Sequence, residues 1–140
     1  LLDWGLAKVR SEEGELSEIE DIDPQRAVED QSMTGFQKLQ GTISYMSPEQ
    51  IKKASDINGR TDIYSLGAVL YEALSGRTPA SGETMDKLIS STLHDQAPCI
   101  SSIASVPLLT ALNNTIMACL HKIPDHRIAT MAELIRHLKQ

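Results

Sequence analysis

The side chains that commonly bind metal ions or form covalent intermediates are few and scattered along this chain. Its four histidines and two cysteines show no spacing at which several of them would ligate one ion. We therefore expect no metal site among them, and we expect both thiols to be reduced. Near the N-terminus, Asp3-Trp4-Gly5 places a carboxylate two residues before a glycine. Taken alone, this tripeptide indicates no more than a turn after a strand.

Further patterns follow Asp3-Trp4-Gly5 in a fixed order, and together they are far more specific than the tripeptide. They are Gly41-Thr42-Ile43-Ser44-Tyr45-Met46-Ser47-Pro48-Glu49-Gln50, Thr61-Asp62-Ile63-Tyr64-Ser65-Leu66-Gly67, Pro124-Asp125-His126-Arg127 and Thr130-Met131-Ala132-Glu133-Leu134. In this order they resemble the second half of a protein kinase domain, from the metal-binding Asp-x-Gly through the activation segment to the last helices. The resemblance covers essentially the whole chain and is strongest to bacterial serine/threonine kinases, in which Trp can replace the usual Phe after the metal-binding Asp.

The resemblance implies a phosphotransferase with ATP and Mg²⁺ as cofactors and a protein Ser or Thr as acceptor. Asp3 would hold the Mg²⁺ that bridges the ATP phosphates, because phosphoryl transfer depends on neutralising charge with hard oxygen ligands around the metal. Gly5 would let the backbone turn sharply behind it. Thr42 would contact the catalytic base and lysine of a preceding loop, which favours Ser or Thr over Tyr as acceptor. Residues 41–46 would form the surface beneath the substrate, with Tyr45 packed inside.

Other residues receive structural or regulatory roles from the same resemblance. Glu49 and Arg127 would form a buried ion pair that ties the activation segment to the last helices. Asp62 would hydrogen-bond the backbone of the catalytic loop and would lack those partners here. Ser32 and Thr34 lie where kinases are switched by phosphorylation, although taken singly each residue is better interpreted as an ordinary polar loop hydroxyl.

The rest of a kinase catalytic set is not in this sequence. A Gly-rich phosphate loop, a strand lysine with its helix glutamate, and a loop with the catalytic base are all missing. We therefore expect a partial kinase domain that is inactive alone and needs the N-terminal lobe as its partner. The alternative is a non-catalytic kinase-like remnant that serves as a protein-interaction scaffold. The retained Asp3 and Thr42 favour the kinase, since a scaffold has no use for a Mg²⁺ ligand.

Hydrophobic periodicity and capping residues predict a mainly α fold, the helical C-terminal lobe of a kinase-like domain with a short remnant of a strand pair at the N-terminus. Ser47 is expected to cap a helix that begins at Pro48, with Gln50 completing a capping box. A second helix is predicted through Ser75, with Thr61 as its N-cap and Gly76 ending it. Later helices are predicted over Gly82–His94, Pro107–His121 and Met131–Lys139, with an irregular stretch at 96–106.

Two of these helices carry informative apolar patterns. The helix from Thr61 to Ser75 is apolar around nearly its whole circumference, which predicts burial on most sides. The last helix is expected to bury one apolar face and to begin with a capping box of Thr130 and Glu133. The residues of that face are Met131, Leu134, Ile135 and Leu138.

The charge is concentrated in one segment of the chain. The net charge is -6, and residues 11–31 hold nine acidic residues against Arg26 alone. Residues 10–40 contain too little apolar surface to predict ordered packing, and their acidity argues against nucleic acid as a partner. We divide the chain into an activation segment at 1–50 and a helical part at 51–140. No apolar run approaches the roughly 20 residues of a membrane span, so a cytoplasmic location is expected, with anchoring of a parent protein left open.

Overall fold

The computed structural model describes residues 41–55, 57–103 and 110–139. The helices in these ranges are α1 (Pro48–Ile51), α2 (Gly59–Ser75), α3 (Met85–His94), α4 (Ile100–Ile103), α5 (Thr110–Cys119), a 3-10 helix (Pro124–His126) and α6 (Met131–Leu138). Residues 41–43 are also helical, and no strand occurs within the described ranges. The mainly α class is thus confirmed, whereas the strand remnant and the segment at 10–40 lie outside the described residues.

The start of α1 follows the local pattern of its sequence. The Ser47 hydroxyl accepts a hydrogen bond from the Gln50 N–H at 3.3 Å, and the Gln50 side chain accepts one from the Ser47 N–H at 2.9 Å. Pro48 occupies the first helical position, where its missing N–H leaves no bond unmade. The predicted capping box is therefore confirmed.

The N-cap of helix α2 lies three residues before the predicted one. The cap is Asn58 and not Thr61, because the Asn58 side chain accepts a hydrogen bond from the Arg60 N–H at 2.9 Å. Thr61 lies inside the first turn, which leaves its hydroxyl available for another partner. The predicted end is confirmed, since Gly76 adopts φ 72°, a left-handed conformation that glycine tolerates best.

The boundaries of the later helices differ from prediction by a few residues. Helix α3 begins at Met85 with Thr84 as its cap, three residues after the predicted start at Gly82. The stretch predicted to be irregular contains the one-turn helix α4, and α5 ends at Cys119 rather than at His121. The predicted start of α5 at Pro107 lies outside the described residues.

The last helix confirms half of its predicted capping box. The Thr130 hydroxyl accepts from the Glu133 N–H at 3.1 Å, but the Glu133 carboxylate accepts from the Ala129 N–H instead of the Thr130 N–H. The expected apolar face is wrong in its extent. Leu134 is fully buried, whereas Met131, Ile135 and Leu138 are 40%, 46% and 39% exposed, because within the described ranges only the Leu134 side of α6 packs against neighbouring helices.

Helix α2 forms the centre of the described part by packing against α5 on one side. The main cluster joins α2 to α4 and α5 and consists of Tyr64, Ala68, Tyr71, Ile100, Ile116 and Leu120. A second cluster joins α2 to α5 and α6 through Ile63, Cys119, Ile128 and Leu134. Burial of α2 is nevertheless incomplete, since Asp62, Val69 and Ala73 are exposed. These three positions form one narrow stripe along the helix, and the residues on its other sides are buried or half-buried, so the prediction of burial on most sides is confirmed in the described part.

A third cluster attaches the segment before α2 to α3. Ile43, Ala80 and Leu88 are buried together, and Met46 and Ile51 pack against them from the segment side. Residues 43–51 are thereby held on a hydrophobic base as well as by polar contacts. None of the helices in the described ranges is long and apolar enough to cross a membrane.

Candidate functional site

The segment that contains Thr42 and Glu49 folds as two consecutive turns. The Tyr45 N–H donates to the Thr42 carbonyl at 3.3 Å, and the Met46 N–H donates to the Ile43 carbonyl at 3.0 Å. Thr42 is half-buried in the first of these turns. The chain then enters α1, which presents Glu49 to the interior.

Glu49 meets Arg127 although 78 residues separate them in sequence. The two side chains form a bidentate ion pair, with Arg127 Nη1 2.7 Å from Glu49 Oε1 and Arg127 Nη2 2.8 Å from Glu49 Oε2. The Arg127 side chain is fully buried and that of Glu49 is 9% exposed. The structure thus brings together the two residues that the resemblance paired, and the contact joins α1 to the loop that precedes α6.

The guanidinium of Arg127 has a partner for each of its N–H groups. Beyond the two bonds to Glu49, Nε donates to the His121 carbonyl at 2.7 Å, Nη1 to the Arg60 carbonyl at 2.9 Å and Nη2 to the Lys122 carbonyl at 3.3 Å. All five donors of a guanidinium are therefore used. The Tyr64 ring adds a cation–π contact, with the guanidinium carbon 4.9 Å from the ring centroid.

Glu49 receives further support from α2. The Thr61 hydroxyl, freed by the earlier start of that helix, donates to Glu49 Oε1 at 2.9 Å. Burial raises the pKa of the Glu49 carboxyl, but hydrogen bonds from Arg127, its own backbone N–H and Thr61, with the charge of Arg127, outweigh burial and lower that pKa from 4.5 to about 2. The carboxylate stays ionised throughout the neutral range.

This lowered pKa predicts an acid-dependent loss of stability. Because the folded pKa lies below the unfolded one, the contribution of Glu49 is complete above pH 4.5 and disappears as the pH falls towards 2. It amounts to about 3 kcal/mol. Urea denaturation should therefore show that Glu49→Gln lowers the free energy of unfolding relative to wild type. The decrease should be largest at neutral pH and should shrink between pH 4.5 and 2.

Asp125→Asn is the control for this titration, since the Asp125–Arg60 pair is exposed and such pairs contribute little. Its free energy of unfolding should stay close to that of wild type at every pH. A Glu49→Gln difference that did not change with pH would contradict the pairing as the source of the effect.

Two side chains of α2 hold Tyr45, and neither was singled out from the sequence. The Ser65 hydroxyl donates to the Tyr45 carbonyl at 2.9 Å, and the Tyr45 phenol donates to the Glu72 carboxylate. The hydrogen bond to Glu72, followed by burial and the charge of Glu72, raises the pKa of Tyr45. The only signal in the sequence was spacing: Ser65 and Glu72 are seven residues apart and so share one face of a helix.

The remaining predicted residues are not brought together. Asp62 is exposed, and among the described residues its side chain makes no hydrogen bond or ion pair. Asp3, Gly5, Ser32 and Thr34 lie outside the described residues. Their predicted roles in metal binding, backbone turning and phosphorylation therefore stay predictions.

Other chemistry-bearing groups form no competing site in the described ranges. No three His, Cys, Asp or Glu side chains there are placed to hold a metal ion, and Cys99 and Cys119 are both free thiols. A cavity of about 250 Å³ lies between α5 and α6, lined by Ala111, Asn114, Thr115, Ala118, Ile128 and His137. It is smaller than most small-molecule sites and contains none of the predicted residues.

Comparison with known proteins agrees with the family that the order of the motifs indicated. The family model described as the protein kinase domain matches residues 1–138. The chain belongs to the protein kinase family. Within this family, its relatives include bacterial serine/threonine kinases.

A probable serine/threonine-protein kinase of Clostridium acetobutylicum is 30% identical over 125 residues, 89% of this chain and 19% of the relative. The serine/threonine-protein kinase PknB of Mycobacterium tuberculosis is 34% identical over 111 residues, 78% of this chain and 17% of the relative. PknD of the same organism is 32% identical over 109 residues, 78% of this chain and 16% of that protein. This kinase chain thus spans less than a fifth of the length of the curated relatives it matches.

Proposed function

We propose that this chain is the C-terminal part of a serine/threonine protein kinase that transfers the γ-phosphate of ATP to protein Ser or Thr residues. The observation that carries the proposal is the buried Glu49–Arg127 pair, which holds segment 41–51 on the helical core. In a protein kinase, that segment must be held in place because phosphoryl transfer depends chiefly on positioning. The bacterial serine/threonine kinases among the relatives support the same class of acceptor.

Within this proposal the chain supplies one ligand for Mg²⁺ and a surface for the protein substrate. Asp3 would hold the metal on the ATP phosphates, with Gly5 behind it, and Thr42 would position the catalytic base. The base itself, on a loop that precedes Asp3, and most nucleotide contacts would come from the first half of the kinase domain, so the isolated chain would transfer no phosphate. The side chain of Asp62 is exposed, so it is accessible to a catalytic loop.

The test is phosphate transfer by the longer polypeptide that contains this chain, measured with radiolabelled ATP and a mixture of protein substrates. Asp3→Ala should lower the rate to roughly a hundredth of wild type or less, because a metal ligand contributes several kcal/mol to the transition state. Asp86→Ala, at an exposed position on α3, is the matched control and should leave the rate unchanged.

Three outcomes are informative. Transfer by wild type and its loss in Asp3→Ala would support the kinase. Transfer that survives Asp3→Ala would contradict the metal-binding role of Asp3. A longer polypeptide that folds and binds other proteins but transfers no phosphate would instead favour the non-catalytic scaffold. Mass spectrometry after incubation with ATP would also show whether Ser32 or Thr34 becomes phosphorylated.

A further inference from the structure

The side chain of Lys122, which follows α5, reaches the end of α3, 30 residues away in sequence. Its ammonium donates to the Thr92 carbonyl at 2.7 Å and to the Ser91 carbonyl at 3.4 Å. Because α3 ends at His94, the Thr92 carbonyl has no N–H partner four residues further on within that helix. A cation at this end of a helix also interacts favourably with the helix dipole. Lys122 therefore holds the C-terminal turn of α3 from outside that helix.

The main chain of the same lysine contacts the buried ion pair. The Lys122 carbonyl accepts a hydrogen bond from Arg127 Nη2 at 3.3 Å, and the same nitrogen donates to Glu49. The Tyr64 ring lies beside both cations, with its centroid 4.9 Å from the Arg127 guanidinium carbon and 6.0 Å from the Lys122 ammonium. Lys122 is half-buried, and burial lowers its pKa. One residue thus contacts the ion pair through its backbone and α3 through its side chain.

Helix α3 in turn supports the segment that carries the carboxylate of that pair. Leu88, in the middle of α3, is buried in one cluster with Ile43. The Thr92 hydroxyl donates to the Leu88 carbonyl at 3.0 Å, which links this cluster to the turn that the lysine holds. Segment 43–51 therefore has two supports, the buried ion pair and α3, and Lys122 contacts both of them.

We propose that Lys122 is a positioning residue for the protein substrate, acting on segment 43–51 by fixing α3 relative to the ion pair. This inference rests on the proposed kinase function, under which the substrate lies on the surface formed by residues 41–46. The lysine acts through its neighbours and not on the reacting atoms. Its loss should let α3 move relative to the ion pair, which should weaken the binding of a peptide substrate and leave nucleotide binding unchanged.

The variants separate the ammonium from the rest of the side chain. Lys122→Met removes the ammonium and keeps a flexible apolar stem, whereas Lys122→Arg keeps a cation with N–H donors. If Lys122→Met does not fold, Lys122→Gln replaces it with the same expected results, since a polar amide suits a half-buried site. The matched control is Lys87→Met, the same chemical change on α3 itself. Lys87 is exposed and pairs with Glu83 one turn away at 3.0 Å, so its replacement leaves both supports intact.

Steady-state kinetics of the longer polypeptide test the proposal with a Ser/Thr peptide selected from a peptide library. Lys122→Met should raise the peptide KM about two- to tenfold, the range for a residue that acts on a site it does not touch, with the KM for ATP unchanged. Lys122→Arg should give a peptide KM closer to that of wild type. A purely structural role would reduce the amount of folded enzyme, and so kcat, without changing the peptide KM. An unchanged peptide KM, an equal rise in Lys87→Met, or no recovery in Lys122→Arg would overturn the proposal.

Amide hydrogen exchange separates this inference from the proposed function, because it requires no activity. The Asp95 N–H, bonded in the last turn of α3, and the Ile51 N–H, bonded at the end of α1, should exchange faster in Lys122→Met than in wild type or Lys87→Met. Equal exchange in all three proteins would overturn positioning even in an active kinase. Faster exchange in a longer polypeptide whose wild type transfers no phosphate would retain the link between Lys122 and α3, while contradicting its role in substrate binding together with the proposed function.

Discussion

Arg127→Ala is expected to lower the free energy of unfolding by about 3–5 kcal/mol, because it leaves the buried carboxylate of Glu49 without its partner. The same change removes the donors to three main-chain carbonyls and the cation on the Tyr64 ring. Arg127→Lys should recover little of the loss, since an ammonium cannot reproduce five donors in a planar fork. Urea denaturation followed by circular dichroism measures the change.

The surface arginine of the same region provides the comparison. Arg60 pairs with the exposed Asp125 at 3.2 Å, so Arg60→Ala should cost less than about 1 kcal/mol. In a double-mutant cycle, replacing Glu49 and Arg127 together by Met should cost much less than the sum of the single replacements. Additive costs would show that the two side chains do not stabilise the fold as a pair.

Gly67→Ala should destabilise the chain by about 1–3 kcal/mol or more, although alanine is ordinarily the better helix former by about 1 kcal/mol. A Cβ atom at position 67 would lie 2.5 Å from the Cys119 Cβ, a distance at which one of the two helices must move. The reason is the close crossing of α2 and α5 at this point. The midpoint of thermal unfolding should fall, with no loss of helical content at low temperature.

Gly59→Ala is the matched control, because a Cβ there meets no atom within 4 Å. The same substitution at the start of the same helix should be neutral or slightly stabilising. Cys119→Gly removes the opposing Cβ, so Gly67→Ala should cost less in a Cys119→Gly background than in wild type. An equal decrease in stability in both backgrounds would show that the close contact between Gly67 and Cys119 is not its cause.

Much of the local structure was predictable because its causes are local. The capping box at Ser47 and Gln50 and the left-handed Gly76 that ends α2 involve residues within a few positions of each other. Such bonds depend on residue type and spacing, which a sequence displays directly. The start of α2 was predicted wrongly because two nearby residues could cap it. Asn58 is the N-cap, and the Thr61 hydroxyl instead donates to Glu49, which is distant in sequence.

The exposed side of α6 was not predictable from the apolar pattern of that helix. An apolar stripe such as Met131, Ile135 and Leu138 indicates a helix and one preferred face. It does not say how much of that face another element covers. In the described ranges, only the Leu134 side meets α2 and α5.

By itself, the sequence determined the mainly α class, because apolar periodicity and capping residues are properties of residue type and spacing. Its ordered motifs also determined the family, and the resemblance to that family implied the pairing of Glu49 with Arg127. Only the tertiary structure decided how those residues are held. Arg127 makes five hydrogen bonds, Thr61 donates one to Glu49, and Ser65 and Glu72 each bond Tyr45. These contacts join residues between 5 and 78 positions apart. Nearly all of these contacts exist only after the helices have packed, since side-chain direction and distance follow from the helix crossings and not from the local sequence.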